Sequence, residues 1–207
     1  MKKWHTLVLA LAIVALIASA GYLYTTLKAV AGPDQIMTAS PTGSATVPSE
    51  AEGQATESTE TAEPPRQPAP GFTVYNAEGE PVTLESLQGK PVILNFWATW
   101  CGYCVMEMPD FQAAYEEFGD QIHFMMVNVT DGYQETEATA RAFIAGREFT
   151  FPVYYDLDLS AASAYGVDSM PVTFFIDAEG MAVAYGRGAL DAASLRQGID
   201  MLLGETE

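Results

Sequence analysis

A nearly continuous apolar run, Val92-Ile93-Leu94-Asn95-Phe96-Trp97, stops two residues short of a tryptophan-bounded cysteine pair, Trp100-Cys101-Gly102-Tyr103-Cys104. These are the only two cysteines in the chain. Such a run reads as a central parallel strand covered on both faces. After it, Gly102 to Phe118 places Val105, Met108, Phe111, Tyr115 and Phe118 at helical spacing, so the pair falls at a strand-to-helix junction. A C-x-x-C in that position is a dithiol/disulfide switch. Its spacing puts both sulfurs on one helical face, where a bond between them closes with little backbone movement.

The junction also divides the labour between the two sulfurs. A cysteine at the first turn of a helix meets unpaired backbone N–H groups and the positive end of the macrodipole, which favour its thiolate. Cys101 holds that position and is the candidate to attack a disulfide, or to be attacked in its own, through a mixed disulfide. Cys104, one turn on and expected to be covered by the helix and Trp100, would resolve it. Electron exchange with other thiols is the chemistry that this arrangement points to.

The surrounding sequence predicts an α/β domain over residues 71–207. Phe72 to Leu84, turning at Gly79, reads as a hairpin. Pro109 falls inside the helix that follows the cysteines and is expected to kink it. Ile122 to Val129 predicts a second strand, Glu135 to Glu148 a helix, Phe151 to Tyr155 an extended segment, and Ser160 to Tyr165 a short helix. Val172 to Ile176 and Met181 to Tyr185 flank the turn Asp177-Ala178-Glu179-Gly180, and Ala192 to Leu203 predicts a last amphipathic helix. This order implies a mixed sheet with helices on both faces and an N-terminal β-hairpin addition.

The first 70 residues are of another kind. Lys2 and Lys3 precede Leu7 to Leu27, a charge-free stretch whose helical length of about 31 Å matches a hydrocarbon core. The basic start places the N-terminus in the cytoplasm and the rest outside. Residues 1–30 are thus expected to be an uncleaved membrane anchor, with a signal peptide cut after Ala18-Ser19-Ala20 as the alternative. Either way the domain reaches an oxidising compartment. Residues 31–70, rich in Pro, Ser, Thr and Glu, are expected to form a disordered linker spanning about 35 Å as a flexible coil.

Charge narrows the partners. The chain carries −18 overall, and from Gly71 onward five Lys/Arg face twenty-one Asp/Glu, a net of −16. Such a surface repels nucleic acid and anionic lipid, so nucleic-acid binding is not expected. His5 and His123 are too isolated to build a zinc site, and no metal or cofactor is expected. Met106 and Met108 beside the cysteines could suggest copper(I). Core packing for Met108 and a rim position for Met106 account for them better.

The segment Asn95-Phe96-Trp97-Ala98-Thr99-Trp100-Cys101-Gly102-Tyr103-Cys104, with Glu107, Pro109 and Met170-Pro171-Val172-Thr173-Phe174-Phe175-Ile176-Asp177, resembles the thioredoxin superfamily. More narrowly it resembles the TlpA/ResA-like membrane-anchored thiol–disulfide oxidoreductases. The resemblance covers nearly all of residues 71–207 and implies a thioredoxin-like fold. It implies that the Met170–Pro171 peptide is cis and lies against the disulfide, leaving the Met170 backbone to pair with an extended substrate. Asn95 stands where cytoplasmic thioredoxins carry a buried aspartate, and Glu107 matches a glutamate of the TlpA/ResA-like branch. Glu107 is therefore the candidate to take the Cys104 proton.

Gly102-Tyr103 is similar to the dipeptide of periplasmic disulfide isomerases, which leaves the direction of electron flow open. Isomerases of that kind need a separate dimerisation domain, and none fits here. The function expected is reduction of disulfides in exported proteins. Isomerase or oxidase activity, or a copper(I)-binding module, are the alternatives. A peroxiredoxin-type peroxidase is disfavoured, because that chemistry does not use a tryptophan-bounded pair. The resemblance further implies re-reduction by a membrane electron donor of the CcdA/DsbD type, with apocytochrome c among possible clients. The chain is expected to act as a monomer.

Overall fold

The structure is a computed structural model that describes residues 67–204 and the backbone of Ile36–Thr38. Nine strands form one sheet: β1 (Ile36–Thr38), β2 (Gln67–Pro68), β3 (Thr73–Tyr75), β4 (Pro81–Thr83), β5 (Val92–Trp97), β6 (His123–Asn128), β7 (Val153–Tyr155), β8 (Val172–Ile176) and β9 (Met181–Arg187). Among the described residues, four α-helices accompany them: α1 (Gly102–Phe118), α2 (Glu137–Ala145), α3 (Ser160–Ala164) and α4 (Ala192–Leu203). The strand order is β1-β9-β8-β5-β6-β7-β3-β4, with β2 beside β1 on the outer edge of β9. Strands β5, β6 and β7 are parallel; β8 runs against them, and β9, antiparallel to β8, runs with them again.

All six residues of β5 are buried, and its alternation divides two cores. Ile93 and Trp97 pack with Met108, Phe111, Phe175, Leu195 and Ile199, under helices α1 and α4. Val92, Leu94 and Phe96 pack on the opposite face with Val74, Ala161 and Ile176, under α3 and the N-terminal hairpin. Each such side chain removed from water contributes about 1.5–3 kcal/mol, so the strand that carries the cysteine junction is anchored on both faces. The mixed sheet, the helices on both faces and the hairpin β3–β4 agree with the sequence-based expectation. The β8–β9 turn closes at Gly180, whose φ of +80° suits glycine, while Asp177 Oδ1 accepts from the Glu179 and Met181 N–H groups.

Two expectations need correction. Helix α2 begins at Glu137 with Thr136 as its N-cap, so Glu135 lies outside it. The expected linker is also not free of structure throughout, because β1 and β2 both fall within residues 31–70 and pair with β9. The unpaired edge of β9 offers a row of backbone donors and acceptors, which even short segments can extend without a large apolar face. The anchor expected over residues 1–30 lies outside the described residues. Among the described residues, no helix is long and apolar enough to cross a membrane.

Candidate active site

The chain leaves β5 at Trp97 and reaches Cys101 through Ala98-Thr99-Trp100. Cys101 is the N-cap of α1, one residue outside the first turn expected for it, with extended backbone at φ −83° and ψ 101°. Its sulfur accepts from the Cys104 N–H at 3.2 Å. That contact occupies one of the donors that a helix start leaves without an intrahelical partner, and such donors favour negative charge on sulfur. Cys101 and Cys104 are joined in a disulfide, with Cα atoms 5.3 Å apart. Cys104 is wholly buried, whereas Cys101 keeps 7% of its surface, so an incoming sulfur can reach only Cys101.

Beneath the pair lies a polar cluster inside the core. Glu107, one turn after Cys104 on α1, is 2% exposed. Its Oε2 accepts from the Leu190 N–H at 2.8 Å and its Oε1 from Asn95 Nδ2 at 2.8 Å. Burial pushes the carboxyl pKa up to about 7; the Leu190 and Asn95 hydrogen bonds oppose that rise, and the nearby Asp110 charge adds to it. Asn95 Nδ2 also donates to Thr173 Oγ1 at 3.0 Å. Strands β5 and β8 thus place Asn95 and Thr173 directly opposite each other, and α1 brings Glu107 down onto the amide.

The remaining expected residues gather at the same end of the sheet. The Met170–Pro171 peptide is cis. Val172 pairs with Phe96, so Pro171 stands level with Trp97, just before the cysteine loop. Met170 and Pro171, with Tyr103, Met106, Arg187 and Gly188, line an open groove of about 380 Å³. Trp100 is 49% exposed and forms an apolar rim beside Cys101. Met108 is fully buried and Met106 largely exposed, so the two thioethers do not converge on one site. His123 opens β6, where burial first and Lys90 second lower its pKa. Among the described residues, no cluster of three or more His, Cys, Asp or Glu is placed to hold a metal ion.

One residue was missed from the sequence. Glu135 is fully buried, and its Oε2 accepts from both the Thr99 N–H at 2.8 Å and the Thr99 hydroxyl at 2.7 Å. Its Oε1 accepts from Asn128 Nδ2 at 3.3 Å. A carboxylate from the loop after β6 therefore holds the backbone two residues before Cys101. The available signal was Thr136, a good N-cap residue whose Oγ1 accepts from the Thr139 N–H, which places Glu135 before the helix rather than on its solvated face.

Comparison with known proteins agrees with this geometry. The AhpC/TSA family matches residues 65–185. The thioredoxin-like protein YneN of Bacillus subtilis is 34% identical over 135 residues, covering 65% of this chain and 78% of that protein. The thiol–disulfide oxidoreductase ResA of the same organism is 33% identical over 140 residues, covering 67% of this chain and 76% of that protein. Among solved structures, a putative thiol:disulfide interchange protein DsbE from Chlorobium tepidum superposes with a TM-score of 0.60 at 29% identity, covering 67% of this chain and 97% of that one. The exposed lipoprotein thioredoxin Etrx1 of Streptococcus pneumoniae gives 0.58 at 30% identity, covering 64% and 99%. The chain belongs to the AhpC/TSA family, as a thioredoxin-like thiol–disulfide oxidoreductase similar to ResA and DsbE.

Proposed function

We propose that this oxidoreductase works outside the cytoplasm, tethered through residues 1–30, as a reductase of disulfides in exported proteins. The observation that carries the reading is the layered site: Cys101 reachable, Cys104 sealed beneath it, and Glu107 with a pKa near 7 one turn further on. In the reduced protein the Cys101 thiolate attacks one sulfur of a client disulfide. A mixed disulfide forms and the other client sulfur leaves as a thiolate. Cys104 then gives its proton to the Glu107 carboxylate, and its thiolate attacks Cys101 Sγ. The Cys101–Cys104 bond closes and the second client thiolate leaves.

Two electrons have then passed to the client, and the protein stands in the oxidised form seen here. A carboxyl titrating near the working pH suits this transfer, because it can both accept the proton and return it on re-reduction. Re-reduction takes a dithiol donor, for which a membrane protein of the CcdA/DsbD type fits the proposed anchor. Trp100 and the backbone of Met170 would hold the client beside Pro171. The basic start and the length of the apolar segment 7–27 support the location; carbonate extraction of membranes tests it, since release of the chain would count against an anchor.

Insulin reduction with the full chain tests the chemistry. Cys101→Ser abolishes turnover, and Cys104→Ser accumulates the mixed disulfide; undiminished turnover without Cys101 ends the proposal. Thiol trapping in cells then decides direction, because a reductase is found mainly as the dithiol and a disulfide donor mainly as the disulfide.

A further inference from the structure

Register aligns the strand ends around the site. Gly188, Pro171, Trp97, Asn128 and Tyr155 lie at one level across β9, β8, β5, β6 and β7. Everything that follows this level on β5, β6 and β7 emerges at the cysteine end of the sheet. Six large apolar side chains are exposed among the described residues: Trp100, Tyr103, Met106, Tyr133, Leu157 and Leu159. All six belong to that one end. Trp100, Tyr103 and Met106 flank Cys101 along the chain, Tyr133 follows β6 at 94% exposure, and Leu157 and Leu159 follow β7.

Single exposed apolar residues are ordinary, but their confinement to one end of a strongly acidic domain marks an interaction surface. Five strands at the usual spacing span about 19 Å, which is the reach of roughly six extended residues. The carboxylates beside the track have one sign: Asp131 next to Tyr133, Asp158 between the two leucines, and Asp168 beside Met170, all exposed. The cations described along this edge are already engaged: Arg187, at the groove, pairs with Asp168 at 2.8 Å, and Arg141, over the Tyr155 ring, pairs with Glu137. Such a rim repels anionic headgroups, and it repels a second copy of a domain that carries the same charge.

We infer that the strand ends from β9 to β7 form a docking track for an extended client segment of about six residues, apolar where it crosses Tyr133 and Leu157 and basic in its flanks. The inference rests on the oxidoreductase reading and names the client class for the same site. A client disulfide over Cys101 has its chain continue toward Tyr133 and the leucines on one side and toward the Met170 groove on the other. Apolar contacts along the track supply affinity, and the acidic rim, with Asp131 and Asp158 beside the track and Asp168 shared with Arg187, selects lysine or arginine.

The test uses the full chain in neutral detergent and three disulfides: hydroxyethyl disulfide and two bridged peptides identical except for flanking lysines or glutamates. The lysine peptide is expected to have a kcat/KM about tenfold above that of the glutamate peptide at low salt, with the preference shrinking in 0.5 M NaCl. In the double variant Tyr133→Ser/Leu157→Ser, the ratio of lysine-peptide to hydroxyethyl disulfide kcat/KM is expected to fall about tenfold. Asp158→Asn/Asp168→Asn is expected to erase the preference for lysine. Equal rates for the two peptides, or an unchanged ratio in the Tyr133/Leu157 variant, would overturn the track while leaving the oxidoreductase intact. A Tyr133-dependent dimer in sedimentation would also overturn it. Inactivity toward all three disulfides would instead refute the oxidoreductase reading, and the track with it.

Discussion

Glu135 holds Thr99 twice, accepting from its N–H at 2.8 Å and its hydroxyl at 2.7 Å through a single carboxylate oxygen. The cysteine loop is therefore not held by its own helix alone. A residue 36 positions later in the chain, after the next strand, sets the backbone from which Cys101 starts. Glu135→Ala would leave a part-buried N–H and the Asn128 amide without their acceptor. It is expected to cost about 1–3 kcal/mol in urea unfolding, while Glu135→Gln, which keeps a carbonyl for Thr99, is expected to cost less. Equal losses in the two variants would show that filling space, not accepting these bonds, is what Glu135 does.

Glu107 makes stability depend on pH in a direction opposite to that of most carboxyls. Its pKa is raised from 4.5 to about 7 in the folded protein, so between those values the folded state holds a proton that the unfolded chain has lost. Its contribution is fully present below about pH 4.5 and is lost as pH rises through about 7. Glu107→Gln, which cannot ionise, is expected to gain on the wild type over that window, by up to about 3 kcal/mol at pH 8. Urea midpoints of both proteins at pH 5 and pH 8 check this; a constant difference between them would remove the raised pKa from the account.

Asn95 supplies a neutral neighbour to that carboxyl, with Nδ2 at 2.8 Å from Oε1. Asn95→Asp would set two acids in one buried site, where they cannot both ionise at low cost. The higher apparent pKa of the pair is expected to rise above about 7, read from the carboxyl carbons by NMR. The pH at which Cys104 resolves a mixed disulfide is expected to move upward with it. An unmoved titration would mean that the two side chains are not coupled.

Helix α4 crosses the sheet where it does because Gly198 lets Phe175 approach its backbone. A Cβ at position 198 would collide with the Phe175 ring, which is itself fully buried. Gly198→Ala is expected to destabilise the fold by about 1–3 kcal/mol, although alanine favours helix, because the packed ring cannot yield freely. Thermal unfolding checks the sign, and a more stable variant would show that the helix shifts to accommodate the methyl group.

Local signals carried far in this chain. The helix Gly102–Phe118, the strand before it, the β8–β9 turn and the last helix were all legible, because apolar periodicity and turn residues act within a few positions. Burial of Glu107 was only a candidate property at that level. Spacing shows that it shares a helix with Cys104, but not that Leu190 and Asn95 close over it. In the sequence Glu135 reads as the first residue of a helix, and its partner Thr99 is too distant for any local pattern to reveal. The strand Ile36–Thr38 escaped notice for a related reason: its partner is the open edge of β9, and backbone pairing leaves little trace in side-chain pattern.

By itself the sequence determined that a buried strand delivers two cysteines to a helix start, since hydrophobic burial and helix geometry operate on neighbouring residues. Only the tertiary structure decided which sulfur stays reachable, which carboxyl is left without water, and which strand ends share the face around Cys101. Those properties arise when segments far apart in the chain exclude solvent together, and solvent exclusion belongs to the packed assembly rather than to any one stretch of it.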